Sequence, residues 1–238
     1  MEELANKVAM ITGASGNLGG AVAHRFLAAG ARLVLINHAK GRLSAQFPEL
    51  DASSDHILID AIDVGDPDGM RWAVKQTLEH FDHLDILVNT VGGYEAGKPL
   101  HETPLETWDS MINLNARSVF VACQAVIPAM LGHRSGKIIN VAARSGVSGS
   151  ARASAYSAAK SAVIRLTESM AAELKNDGIN VNCVLPGTID TPRNRKDMPA
   201  GDPSRWVTVD SLAEVILFLA SDASRDIHGE AIRVYGRS

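Results

Sequence analysis

Tyr156 and Lys160 stand four residues apart in the Ala-rich segment Ala155-Tyr156-Ser157-Ala158-Ala159-Lys160. Such a segment favours a helix, in which the two side chains leave the same face one turn apart. An ammonium within about 6 Å favours the ionised phenol, so the pairing predicts a tyrosine pKa lowered from about 10 towards neutrality. Such a phenol can give or take a proton. By itself the spacing also describes an ordinary helical tyrosine beside an exposed lysine.

The start of the chain adds a second signal. Val8-Ala9-Met10-Ile11-Thr12 is a short apolar run that reads as a buried strand, and it breaks into Gly13-Ala14-Ser15-Gly16-Asn17-Leu18-Gly19-Gly20 before a helix. Glycines let the backbone turn sharply and approach a pyrophosphate, while the helix N-terminus offers unpaired N–H groups and the positive end of a dipole. Between the first strand and first helix of an alternating chain, this arrangement predicts a dinucleotide site.

The elements that must carry these residues are legible along the whole length. Strands are expected near 7–12, 31–36, 56–61, 84–89, 136–142, 179–185 and 230–235, and helices near 17–29, 67–82, 104–132, 154–176 and 208–221. Their alternation predicts a single-domain α/β Rossmann fold spanning 1–238, a doubly wound seven-stranded parallel sheet with helices on both faces. Thr103-Pro104-Leu105-Glu106 reads as a capping box with Pro at the first helical position. Residues 187–207 are expected to be a long irregular loop at the carboxyl edge of the sheet, acting as a substrate lid.

Composition narrows the function classes. With 46% hydrophobic residues, a net charge of −4 and a pI near 6.1, the 238-residue chain has no basic footprint for nucleic acid or anionic membrane. No apolar run was expected to reach the roughly 20 residues of a membrane span. The acidic opening Met1-Glu2-Glu3-Leu4 enters the first strand too early for a signal peptide, which predicts a cytoplasmic protein. Cys123 and Cys183 read as buried reduced thiols, and the eight histidines lack metal-ligand spacing, so no metal is expected.

Together these pieces resemble the short-chain dehydrogenase/reductase family from about Lys7 to Gly236. Leu87-Val88-Asn89-Thr90-Val91-Gly92-Gly93 is similar to the family's Asn-Asn-Ala-Gly element, with Thr90 and Val91 replacing two of its residues. Trp108 followed by Asn115, the strand Gly136-Lys137-Ile138-Ile139-Asn140-Val141 and the turn Val184-Leu185-Pro186-Gly187 fall in the family's order. The resemblance implies that Tyr156 is the acid, Lys160 the group that lowers its pKa and holds the nicotinamide ribose, and Asn115 the anchor of a proton-relay water. It implies cofactor contacts from Gly13, Ser15, Asn17, Leu18 and Gly19, from Asn89, Val91 and Gly92, and from Pro186, Gly187, Ile189 and Thr191. Asp63 and Val64 resemble the family's adenine contact, with Asp63 as a plain turn residue the alternative. Family members are commonly homodimers or homotetramers acting on small molecules.

Two departures matter for function. The family's substrate-orienting Ser falls on Ala143, and Ser145, two residues on, replaces it only if the strand continues. The glycine spacing, the missing Ser and the segment Asp190-Thr191-Pro192, Asn194-Arg195, Met198-Pro199, Asp202, Ser204, Trp206 resemble the dihydropteridine reductases. That branch implies a conjugated imine such as quinonoid dihydropterin. The alternatives are a general ketone or 3-oxoacyl-type carbonyl reductase, and a weakly catalytic NAD(P)-binding sensor. At the end of the second strand Asn37 stands where NAD-selective sites place an acid. With His38, Lys40 and Arg42 following, NADP is the expected cofactor and NAD is tolerated. Arg193, Arg195 and Lys196 read either as attractors of an acidic substrate or as a solvated charged loop.

Overall fold

The main-sheet strands are short apolar runs without polar alternation, because nearly all are covered on both faces. β1 (Val8–Thr12) and β4 (Ile86–Asn89) are buried at every position. β2 (Arg32–Ile36), β3 (Ile57–Ile59), β5 (Gly136–Val141), β6 (Ile179–Pro186) and β9 (Ala231–Val234) complete a seven-stranded sheet in the order β3-β2-β1-β4-β5-β6-β9. All its pairings are parallel. This computed structural model describes residues 3–237; Met1 and Glu2 of the acidic opening lie outside them.

Helices α1 (Asn17–Ala28) and α9 (Val209–Ala220) cover one face, where Val22 and Phe26 share a core with Leu212 and Ile216. Helices α4 (Pro67–Phe81), α6 (Ser118–His133) and α7 (Ser154–Leu174) cover the other, through Met70, Val126, Val163 and their neighbours. The expected single-domain doubly wound fold is present. Two short helices, α2 (Arg42–Gln46) and α3 (Pro48–Asp51), follow β2 and carry too few apolar repeats to be read as helices in the sequence.

Three expectations need correction. The helix expected over 104–132 is α5 (Leu105–Ile112), a π-helical turn (Asn113–Arg117) and α6 in succession. The capping box is not formed. Pro104 is itself the extended residue before α5, and the Thr103 hydroxyl donates to Pro99 O at 3.0 Å. The continuous run Leu105–His133, 29 residues with an 18-residue stretch of mean hydropathy 1.4, does reach the length and apolarity of a membrane span. It packs as a core helix, with Val119, Ala122, Cys123, Val126 and Met130 buried against the sheet.

A chain of buried polar side chains crosses the sheet at the carboxyl ends of the strands. Thr12, Asn89 and Asn140 are register partners in β1, β4 and β5. The Thr12 hydroxyl donates to Asn89 Oδ1 (3.3 Å), Asn89 Nδ2 to Asn140 Oδ1 (2.9 Å), and Asn140 Nδ2 to the Thr167 hydroxyl on α7 (3.0 Å). None of the four is more than 2% exposed. Removing one member leaves its partners desolvated and unpaired. Asn140→Ala is therefore expected to cost about 2–4 kcal/mol of stability, read as a lowered midpoint in urea; a loss below about 0.5 kcal/mol would show that the chain does not brace the sheet.

Candidate active site

The chain leaves β1 at Thr12 and turns at Gly13, whose φ of +70° favours glycine. The turn closes with Gly16 N donating to Gly13 O at 2.9 Å, and α1 begins at Asn17. A Cβ on Gly19 would collide with Gly13 O and lie 2.9 Å from Ala14 Cα, so the helix packs directly onto the turn. The N-cap, Gly16, has no side chain to cap the first amides, and the first helical turn carries no acidic residue. A close backbone approach at an uncapped helix start fits a pyrophosphate, and Ser15, Asn17, Leu18 and Gly19 all belong to this cradle.

Asn37, 6% exposed, follows β2 and is engaged on every side. Its Oδ1 accepts from the Ser15 hydroxyl at 2.6 Å, and its Nδ2 donates to Ala39 O at 2.7 Å and to Asp60 Oδ1 at 3.2 Å. Asn37 thus braces the cradle against the end of β3. Asp60 was overlooked in the sequence, although the parallel register Ile36↔Ile59 sets Asn37 beside it. His38 and Lys40 are exposed in the loop beyond, and Arg42 is exposed at the start of α2. Asp63 Oδ1 accepts from Gly65 N at 2.8 Å, a turn contact, and Val64 is buried in the core.

After β4, Gly92 meets Asn115 and Lys160, and Tyr156 lies one turn before Lys160 on α7. A Cβ on Gly92 would stand 2.9 Å from Asn115 Oδ1 and 3.2 Å from Lys160 Nζ, so the backbone comes this close to both groups only because residue 92 lacks a side chain. Val91 precedes it, partly buried against the core. Asn115, in the π-helical turn, is fully buried. It clamps one residue: Gly93 N donates to its Oδ1 and its Nδ2 donates to Gly93 O, both at 3.1 Å, with a further bond to Met111 O at 3.0 Å.

Lys160 Nζ donates to Val141 O at 2.8 Å and lies 5.9 Å from the centre of the Tyr156 ring. Burial lowers the lysine to about 8, opposed only by Cys183 nearby. Burial also pushes the Tyr156 phenol up to about 12, with Tyr94 acting in the same direction. The sequence expectation that the lysine brings the phenol towards neutrality is overturned for the protein alone: loss of hydration outweighs the neighbouring charge. A protonated phenol remains an acid with a proton to give. Tyr94 was missed as a neighbour of Tyr156, because nothing in the sequence shows the loop after β4 folding back onto α7.

Ala143 is extended, with φ −163°, and 7% exposed. The strand does not continue to Ser145. Residues Arg144–Gly146 form a 3₁₀ turn, and the Ser145 hydroxyl faces that of Ser150 at 3.5 Å. The condition for Ser145 to replace the missing hydroxyl is therefore not met.

The 187–207 segment, expected to be an irregular lid loop, carries regular structure of its own. Ile189–Asp190 (β7) and Val207–Thr208 (β8) pair in parallel and pinch its base, enclosing helix α8 (Pro192–Asp197) and a 3₁₀ turn at Pro203–Arg205. Pro186 ends β6, and Gly187 N donates to Val234 O at 2.9 Å. Nearly every polar residue of the dihydropteridine-like segment has work inside the lid. Arg195 bonds both oxygens of Asp190 at 2.6 and 2.8 Å, Thr191 caps α8 by accepting from Asn194 N, and Asp202 accepts from Ser204 N at 3.0 Å. Trp206 packs where Gly201 has no side chain. Arg193 pairs with Asp197 at 3.4 Å, so of Arg193, Arg195 and Lys196 the first two serve ion pairs within this segment.

Comparison with known proteins agrees with this geometry. The sequence pattern described as short chain dehydrogenase matches residues 7–200. The chain is 35% identical over 240 residues to (2S)-[(R)-hydroxy(phenyl)methyl]succinyl-CoA dehydrogenase subunit BbsD of Thauera aromatica, covering 97% of this chain and 96% of that one. It is 32% identical over 244 residues to the 3-oxoacyl-[acyl-carrier-protein] reductase FabG of Thermotoga maritima, covering 98% of each. The crystal structure of gox2181 superposes with a TM-score of 0.91 at 29% identity, over 99% of this chain and 97% of that one. A glycine cradle before α1, a Tyr–Lys pair on α7 and an Asn in the helix between them, matched over this length, mean that the chain belongs to the short-chain dehydrogenase/reductase family.

Proposed function

We propose that the protein is an NAD(P)-dependent oxidoreductase that interconverts a small carbonyl compound and its alcohol beneath the 187–207 lid. The observation that carries this reading is the convergence of Tyr156, Lys160 and Asn115 around Gly92 at the carboxyl edge of the sheet. The cradle of Gly13, Gly16 and Gly19 would hold the dinucleotide's pyrophosphate, with Ser15 and Asn37 bracing it, and Gly92, Lys160, Pro186 and Gly187 lie towards the nicotinamide end. Bound there, the nicotinamide supplies or accepts the hydride. The protein's own residues manage the proton: Tyr156 gives it to the carbonyl oxygen, and the Lys160 ammonium, fixed on Val141 O, opposes the negative charge left on the phenol. Asn115 holds Gly93 and, through it, the loop after β4.

The relatives favour a carbonyl or hydroxyl substrate, since their names describe a hydroxyacyl-CoA dehydrogenase subunit and a 3-oxoacyl reductase. A pterin substrate has less support. The segment that suggested it is accounted for by hydrogen bonds that fold the lid. We assign NADP as the preferred cofactor with NAD tolerated, on the strength of exposed His38, Lys40 and Arg42. We also expect a cytosolic homo-oligomer: Cys123 and Cys183 are buried free thiols, and α6 exposes Phe120 and Leu131.

Tyr156→Phe should lower turnover at least about 100-fold with little change in dinucleotide affinity, whereas Lys160→Ala should damage both. Near-normal turnover in the Phe variant would remove Tyr156 as the acid. With ketones and 3-oxoacyl thioesters, Ala143→Ser should raise kcat/KM by about 10-fold or more, because a donor at this position can hold the developing oxyanion. Turnover of quinonoid dihydropterin by the unaltered protein, with no gain from Ala143→Ser on any carbonyl, would restore the pterin reading.

Cofactor choice is tested by direct titration with NADPH and NADH. Replacing Lys40 and Arg42 together by Glu should weaken NADPH binding about 10-fold or more and leave NADH within about threefold. Equal losses for both would place the 2′-phosphate elsewhere. Asn37→Asp is a poor switch, since it would set a carboxylate against Asp60 and the Ala39 carbonyl.

A further inference from the structure

Tyr94 lies outside the catalytic set that the family resemblance supplies, yet its ring meets that of Tyr156 edge to face. The centroids are 4.9 Å apart and the planes 87° from parallel, a favoured aromatic geometry. Tyr94 itself is 59% exposed, so core packing is not what holds it there.

The loop is what delivers it. Asn115 holds both the N–H and the carbonyl of Gly93, and a Cβ on Gly93 would lie only 2.6 Å from Leu114 Cδ2. One residue earlier, a Cβ on Gly92 would press on Asn115 Oδ1 and Lys160 Nζ. Two consecutive glycines thus carry the chain past the Asn115 amide, the first of them with the Lys160 ammonium beside it. The first residue free to carry a side chain beyond them is the tyrosine that lands on Tyr156. Across the site, residue 143 offers a methyl group in place of a hydroxyl.

We infer that Tyr94 is a positioning residue for Tyr156, its ring orienting the phenol and shielding it from water so that the acid stays protonated where Ala143 supplies no hydroxyl to hold it. The inference rests on the reading of Tyr156 as the acid for its functional meaning, but its physical content concerns the free protein. Burial is the larger cause of the raised phenol, and the ring of Tyr94 is part of what covers it; the charge of an ionised Tyr94 adds a smaller push in the same direction, which Tyr94→Phe separates from the ring. Tyr94→Phe keeps the ring, whereas Tyr94→Ala and Tyr94→Leu remove it. These exposed-site variants should fold normally, which circular dichroism checks at each pH.

The test is the titration of [¹³Cζ]tyrosine signals by NMR in the substrate-free protein from about pH 8 to about pH 11, with Tyr156→Phe identifying the Tyr156 signal. That signal should stay protonated across the range in the unaltered protein and in Tyr94→Phe. In Tyr94→Ala and Tyr94→Leu its midpoint should fall by about one pH unit or more, as water reaches the phenol. With a working carbonyl substrate, the same two variants should lose about 10-fold or more in kcat with KM within about threefold, while Tyr94→Phe stays near normal. An unmoved Tyr156 titration in both ring-removing variants overturns the inference. A protein that reduces no carbonyl but shows the shift sinks the proposed function and leaves the positioning role standing.

Discussion

The row of amides that links β1, β4 and β5 to α7 is the constraint on which the site depends. Thr12, Asn89, Asn140 and Thr167 lie in the dry centre of the fold, where an unpaired polar group is costly and a paired one is directional. Hydrophobic packing alone would let α7 slide along the sheet by a fraction of a turn. The Asn140–Thr167 bond opposes such sliding. One residue beyond Asn140, the Val141 carbonyl accepts from Lys160, so the same strand end anchors the helix and fixes the Lys160 ammonium.

A second constraint comes from the π-helical turn at Asn113–Arg117. The extra residue in the turn breaks what would be one uniform helix from Leu105 to His133, a departure often found at functional positions. Asn115 is buried at that turn with both ends of its amide committed to Gly93. The loop after β4 is thereby fastened to a helix on one side while Lys160 borders it on the other. Close approach is possible only because residues 92 and 93 lack side chains.

The 187–207 segment shows how residues that suggest a substrate can also have a purely local structural role. Asp190 with Arg195, Thr191 with Asn194 and Asp202 with Ser204 form a set of short-range bonds that folds an excursion from the sheet, and β7 pairs with β8 to close its base. Proteins that build the same lid would share these residues whatever they bind. Ala143 differs in kind, because it changes what can touch a substrate oxygen.

Periodic apolar runs and glycine punctuation were enough to determine the alternating fold, the position of the phosphate cradle and the placement of Tyr156 and Lys160 on one helix, because those features depend on neighbours within a few residues. The C-terminal lid pattern was equally visible, but its meaning was not. Only the tertiary structure decided the proton affinities at the site, since burial of Tyr156 and Lys160 is a property of everything packed around them. It also decided that Asn37 is occupied by Ser15 and Asp60, that the strand stops before Ser145, and that Tyr94 folds onto Tyr156. Each of these is a contact or a strand end set by elements distant in sequence, and local spacing carries no record of which distant group fills the space beside a side chain.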